Sequence, residues 1–69
     1  MKTYQSVMML VNGLKVYDNR GNIQNNLVQA KDQLVRFKKR KMAHFENMRA
    51  LDKIQGFHIE VSNGQIIEG

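Results

Sequence analysis

Val7-Met8-Met9-Leu10-Val11-Asn12-Gly13-Leu14-Lys15-Val16-Tyr17 carries the strongest local signal in the chain. An Asn-Gly pair between apolar β formers marks a hairpin, because a two-residue type I′ turn needs positive φ at both central residues. A turn at Asn12-Gly13 pairs Val11 with Leu14, Met9 with Val16 and Val7 with Asp18. That face is nearly all apolar, as a core-facing surface must be. The opposite face carries Met8, Leu10, Lys15 and Tyr17 and is mixed. Tyr4, Val7, Met8 and Val11 also fit helical spacing, but the turn favours strand.

The C-terminal part repeats the pattern. Asn63-Gly64 lies between Ser62 and Gln65, so Val61 is expected opposite Ile66 and Glu60 opposite Ile67. Phe57, Ile59, Val61 and Ile66 then share one face, and His58, Glu60 and Ile67 the other.

Between the hairpins, residues 22–55 contain no Gly or Pro and read as helix. Asp18-Asn19-Arg20-Gly21 is a turn, Asn22 an N-cap, and Gly56 the residue placed to stop the helix. Ile23, Leu27, Ala30, Leu34, Phe37, Phe45, Met48 and Leu51 recur every three or four residues along most of its length, and all except Leu51 form an apolar stripe about 80° wide for the core. Lys41 interrupts the stripe between Phe37 and Phe45. An unbroken helix over residues 23–54 would be about 48 Å long, too long for one compact domain of this size. The expectation is therefore a helix that bends or ends near residues 38–44, or one that pairs with a second copy while Lys41 snorkels outward. The fold class this predicts is α+β: hairpin, long or kinked amphipathic basic helix, hairpin, with a small antiparallel sheet packed on the helix in a single domain, 1–69.

The charge is concentrated on that helix. Residues 31–53 hold Lys31, Arg36, Lys38, Lys39, Arg40, Lys41, Arg49 and Lys53 against Asp32, Glu46 and Asp52, which accounts for the whole net charge of +5. Within Arg36-Phe37-Lys38-Lys39-Arg40-Lys41, only Asp32 offers a helical counter-charge, to Arg36 at i, i+4. A cluster left uncompensated in cis points to a polyanionic partner. Phe37 and Phe45 belong to the stripe and are expected in the core rather than stacked on bases.

Composition bounds the rest. A 69-residue chain with no Cys has no disulfide staple and no thiolate metal site. So small an unstapled domain is expected to gain from homo-oligomerisation or a partner. The longest apolar run, Val7–Val11, is far short of a membrane span, and residues 1–6 lack a signal-peptide pattern, so a cytoplasmic protein is expected. His44 and His58 do not make a metal site, the carboxylates show no acid/base pairing, and no Gly-rich phosphate loop is present. No enzyme activity, cofactor or small-molecule substrate is expected. The primary expectation is a small basic dimer binding nucleic acid by phosphate contacts through Arg36, Lys38, Lys39, Arg40, Lys41 and Arg49. The alternative is a small interaction or inhibitor protein, of the kind phages and mobile elements encode, docking its basic helix on an acidic surface of a larger protein.

Overall fold

The computed structural model describes residues 2–69, and of Arg20 the backbone alone. Strand β1 (Tyr4–Leu10) turns back into β2 (Lys15–Tyr17), helix α1 spans Leu27–Asn47, and β3 (Ile54–Val61) turns into β4 (Ile66–Glu68). Short 3-10 turns at Arg20–Asn22 and Leu51–Lys53 flank the helix. The four strands form one antiparallel sheet in the order β2-β1-β3-β4, and α1 packs across one face. The expected α+β architecture of hairpin, helix and hairpin is the fold observed. No helix among the described residues is long and apolar enough to cross a membrane.

Both hairpins differ from the expected register by one residue, and for one reason. Asn12 does not take positive φ; among the described residues Arg49 is the only non-glycine that does. Instead Val11, Asn12 and Gly13 form a three-residue loop, with Gly13 alone left-handed at φ 89. The Leu10 amide donates to Leu14 O at 2.9 Å and the Gly13 amide to Leu10 O at 2.9 Å. Asn12 contributes its side chain, with Oδ1 accepting from the Leu14 amide at 3.1 Å. The second loop repeats this: Gly64 has φ 92 and Asn63 Oδ1 accepts from the Gln65 amide at 2.9 Å. A type I turn closed by a left-handed glycine is the usual three-residue hairpin loop.

The slip exchanges faces, as a period of two requires. Val16 lies opposite Met8 rather than Met9, and Ile67 opposite Ile59. Met8 is therefore fully buried and Ile67 packs on the core, while Ile66, Val11 and Leu14 are exposed. Val7 faces away from α1 yet is also fully buried, in register between Tyr17 and His58.

Helix α1 starts four residues later than expected and stops well before Gly56. Asn26 is the N-cap, its Oδ1 accepting from the Val28 amide at 2.8 Å and the Gln29 amide at 3.3 Å. Asn22 closes the preceding 3-10 turn, and Gln24 is held in a bridge to Tyr4. At the other end the Arg49 amide donates to Glu46 O at 2.9 Å and the Ala50 amide to Phe45 O at 2.7 Å. This is a Schellman stop with Arg49 at φ 55 where glycine is the usual occupant. Gly56 instead lies inside β3, beside a bulge created where Leu10 pairs with Ile54 and Met9 with Gly56.

At 21 residues the helix is about 31 Å long and is one unbroken α segment through residues 38–44. It fits within a molecule measuring 39 × 21 × 18 Å, which removes the length argument for pairing two chains. The core joins Ala30, Leu34 and Phe37 of the helix to Met8, Phe57 and Ile59 of the sheet. Phe37 and Phe57 meet edge to face at 6.0 Å between ring centroids. The expected stripe is buried only in its middle. Ile23 precedes the helix and Met48 follows it, so both are exposed.

Candidate partner-binding face

The sheet holds α1 by one narrow side, so most of its circumference faces solvent. That geometry divides the six cations singled out from sequence. Arg40 is used internally: its guanidinium lies 3.3 Å from Asp18 Oδ1, a carboxylate whose side chain is only 2% exposed. Asp18 also accepts from the Asn19 amide, Asn22 Nδ2 and Gln33 Nε2, so it ties the loop after β2 to the helix. Lys41 is half-buried with its ammonium 5.8 Å from the Phe37 ring centroid, which is how a lysine is accommodated in the apolar stripe. Arg36 meets Asp32 at 3.0 Å, both well exposed, a pair worth only a few tenths of a kcal/mol. Lys38 lies 5.8 Å from the Phe57 ring centroid, and Lys39 and Arg49 are exposed.

Among the described residues, no carboxylate lies within 4.0 Å of Lys31, Lys38, Lys39, Lys41, Arg49 or Lys53. Lys38 and Lys39 share a helix flank with Lys31, which the sequence reading did not single out. On that flank three apolar residues stand exposed: Val28 at 77%, Val35 at 53% and Met42 at 41%. Their seven-residue spacing is visible in the sequence but lies beside the deeper core stripe. Of the aromatic side chains only Phe57 borders this surface, beneath Lys38. Phe37 is in the core, Phe45 and Tyr4 pack against it, and Tyr17 lies on the opposite side of the sheet.

A groove of about 300 Å³ opens at the Met42 end of the flank, between the helix and β3. Lys38 and Met42 form its helical wall, and Leu51, Ile54, Phe57 and Gly69 the rest.

The uncovered sheet face carries the other polar constellation. Glu60 accepts from Lys15 Nζ at 2.7 Å and from the Tyr17 hydroxyl at 2.9 Å, and lies 3.3 Å from His58 Nε2. The lysine bond chiefly holds the Glu60 carboxyl below its ordinary range, the His58 and Tyr17 bonds adding to it against partial burial. The bonds to Glu60 raise Lys15 and Tyr17 in turn. Lys15 and Tyr17 come from β2 and Glu60 from β3, so the network spans β1 and covers Val7. Both carboxylate oxygens of Glu60 are occupied, and the residue clasps β2 to β3. A concavity of about 480 Å³ lies beside it, over Gly56 and against Met9, His58 and Glu68. No group of three His, Cys, Asp or Glu among the described residues could hold a metal ion.

A carboxyl lowered on folding contributes stability that is present above its unfolded pKa and is lost as pH falls through the folded value. Glu60→Gln is therefore expected to lower the urea midpoint at pH 7, with the gap from wild type narrowing as pH falls below the ordinary carboxylate range and Glu60 takes up its proton. A gap that stayed constant from pH 7 to pH 3 would show that the charge on Glu60 contributes nothing.

Compared with protein-family models, curated proteins and solved structures, the chain gives no match.

Proposed function

We propose that this chain is a small non-enzymatic docking protein that lays the exposed flank of α1 on an acidic surface of a larger protein. The observation that supports this reading best is the alternation of Val28, Val35 and Met42 with Lys31, Lys38 and Lys39 on one flank. Phosphates reward the lysines alone, whereas a protein surface also rewards the valines and the methionine by removing them from water. Exposed cations steer the encounter, and the apolar contacts slow dissociation.

Binding to nucleic acid through phosphate contacts is the second reading. It is favoured by Lys31, Lys38, Lys39, Lys41, Arg49 and Lys53, on and just after the helix, which lack a carboxylate partner among the described residues. Arg36, Lys38, Lys39 and Arg49 would make the contacts, with Arg40 and Lys41 contributing less because of their internal contacts.

Fluorescence anisotropy at about 50 and 200 mM salt separates the two. The probes are duplex DNA, single-stranded RNA and polyglutamate of matched charge. Docking on acidic protein predicts no preference for the nucleic acids over polyglutamate, and a loss of at least about tenfold on reversing Lys38 and Lys39 to Glu. A preference for duplex or RNA of a hundredfold or more would overturn the docking reading in favour of nucleic acid.

A further inference from the structure

We infer that the occupant of the α1 flank is an acidic amphipathic helix of a partner protein, with one large apolar side chain seated in the groove beside Met42. This rests on the docking reading and specifies the shape of the partner. Val28, Val35 and Met42 repeat every seven residues, a rise of about 10.5 Å per repeat. Seven is the repeat at which one helix meets another along a continuous seam. A strand, rising about 3.3 Å per residue with alternate side chains on one face, has no matching repeat. From Val28 to Met42 the stripe is about 21 Å long, enough for four turns of a partner helix.

Charge decides the sign of the partner. Lys31 lies one turn from both Val28 and Val35, and Lys38 and Lys39 one turn from both Val35 and Met42. Of the helix acids, Asp32 is already engaged by Arg36 and Glu46 lies one turn beyond Met42, so each gap in the apolar stripe between Val28 and Met42 presents a lysine. A second copy of α1 on this flank would set lysines against lysines in either orientation. A helix with an apolar stripe bordered by Glu or Asp satisfies both features at once. The groove is continuous with the stripe, because Lys38 and Met42 belong to both. Its apolar walls, Met42, Leu51, Ile54 and Phe57, suit a Leu or Phe on the partner's last turn.

The test uses two labelled synthetic peptides of about 21 residues and identical composition. In one, leucines stand at heptad positions a and d, with glutamates elsewhere; in the other the order is scrambled. Wild type is expected to bind the patterned peptide about tenfold or more tightly than the scrambled one. Val28→Ser with Val35→Ser should erase that advantage while leaving the weak, salt-sensitive binding of the scrambled peptide. Met42→Ala, a smaller change that keeps helix propensity, should reduce the advantage several-fold. Equal binding of the two peptides would overturn the amphipathic-helix occupant while leaving the docking function standing. Failure of both peptides to bind would sink the docking function too, whether or not duplex DNA binds.

Discussion

Phe37→Ala is expected to remove about a third or more of the protein's stability at 25 °C. A 69-residue domain has a total stability of about 3–10 kcal/mol. Removing a buried phenylalanine to alanine costs about 3–5 kcal/mol, because a cavity remains as well as the lost transfer energy. Phe37 is 1% exposed, and the helix inserts only two other buried side chains, Ala30 and Leu34. Little else holds α1 to the sheet at its centre, so the neighbours of Phe57 cannot close the void without shifting the helix. Two cations of the basic cluster also lie over the Phe37 ring, Arg40 at 5.9 Å and Lys41 at 5.8 Å from its centroid. The substitution should therefore weaken both the fold and the platform of the basic face. Urea denaturation followed by far-ultraviolet circular dichroism checks it, with Phe37→Leu as a milder control costing about 1–2 kcal/mol. A Phe37→Ala midpoint within error of wild type would mean that the helix is anchored elsewhere.

The elements were legible in sequence because each has a local cause. Asn12-Gly13 and Asn63-Gly64 mark the loops, and the recurrence of Ala30, Leu34 and Phe37 marks the buried side of the helix. Register was not legible, because Val7 to Val11 is apolar on both faces and Ile66-Ile67 offers an isoleucine to either face. Only the turn geometry could choose, and an Asn that caps with its side chain reads in sequence like an Asn at positive φ. The helix stop was hidden for a related reason. Arg49 occupies a left-handed position that costs a non-glycine residue about 1–2 kcal/mol, and no residue-type rule anticipates it. The basic face was legible in total charge but not in distribution. Arg40 turns inward because Asp18, twenty-two positions earlier, is brought to the helix by the loop after β2. Val28, Val35 and Met42 are apolar residues outside the core, and only the position of the sheet distinguishes them from residues within it.

Asp18→Ala is expected to cost about 2–4 kcal/mol, second only to loss of Phe37. The Asp18 carboxylate takes four donors: the Asn19 amide at 2.8 Å, Asn22 Nδ2 at 3.2 Å, Gln33 Nε2 at 3.2 Å and Arg40 at 3.3 Å. Alanine would leave the half-buried donors Asn22 and Gln33 without their acceptor, which is the costly direction of a lost hydrogen bond. The penalty falls short of breaking a fully buried ion pair, because the Arg40 side chain is 57% exposed and can return to water. The main-chain bonds of residue 18 survive, since its amide donates to Ser6 O and its carbonyl accepts from Gln5. Asp18→Asn keeps part of the acceptor set and should cost less, about 1–2 kcal/mol. That variant also separates stability from binding. It releases Arg40 from its counter-charge and raises the net charge by one, so binding to the acidic peptides should hold or strengthen while the urea midpoint falls. Pairing Asp18→Asn with Arg40→Met in a double-mutant cycle measures the ion pair itself. A coupling below about 0.5 kcal/mol would mean that the hydrogen bonds from Gln33, Asn22 and Asn19, not the arginine, hold the loop to the helix.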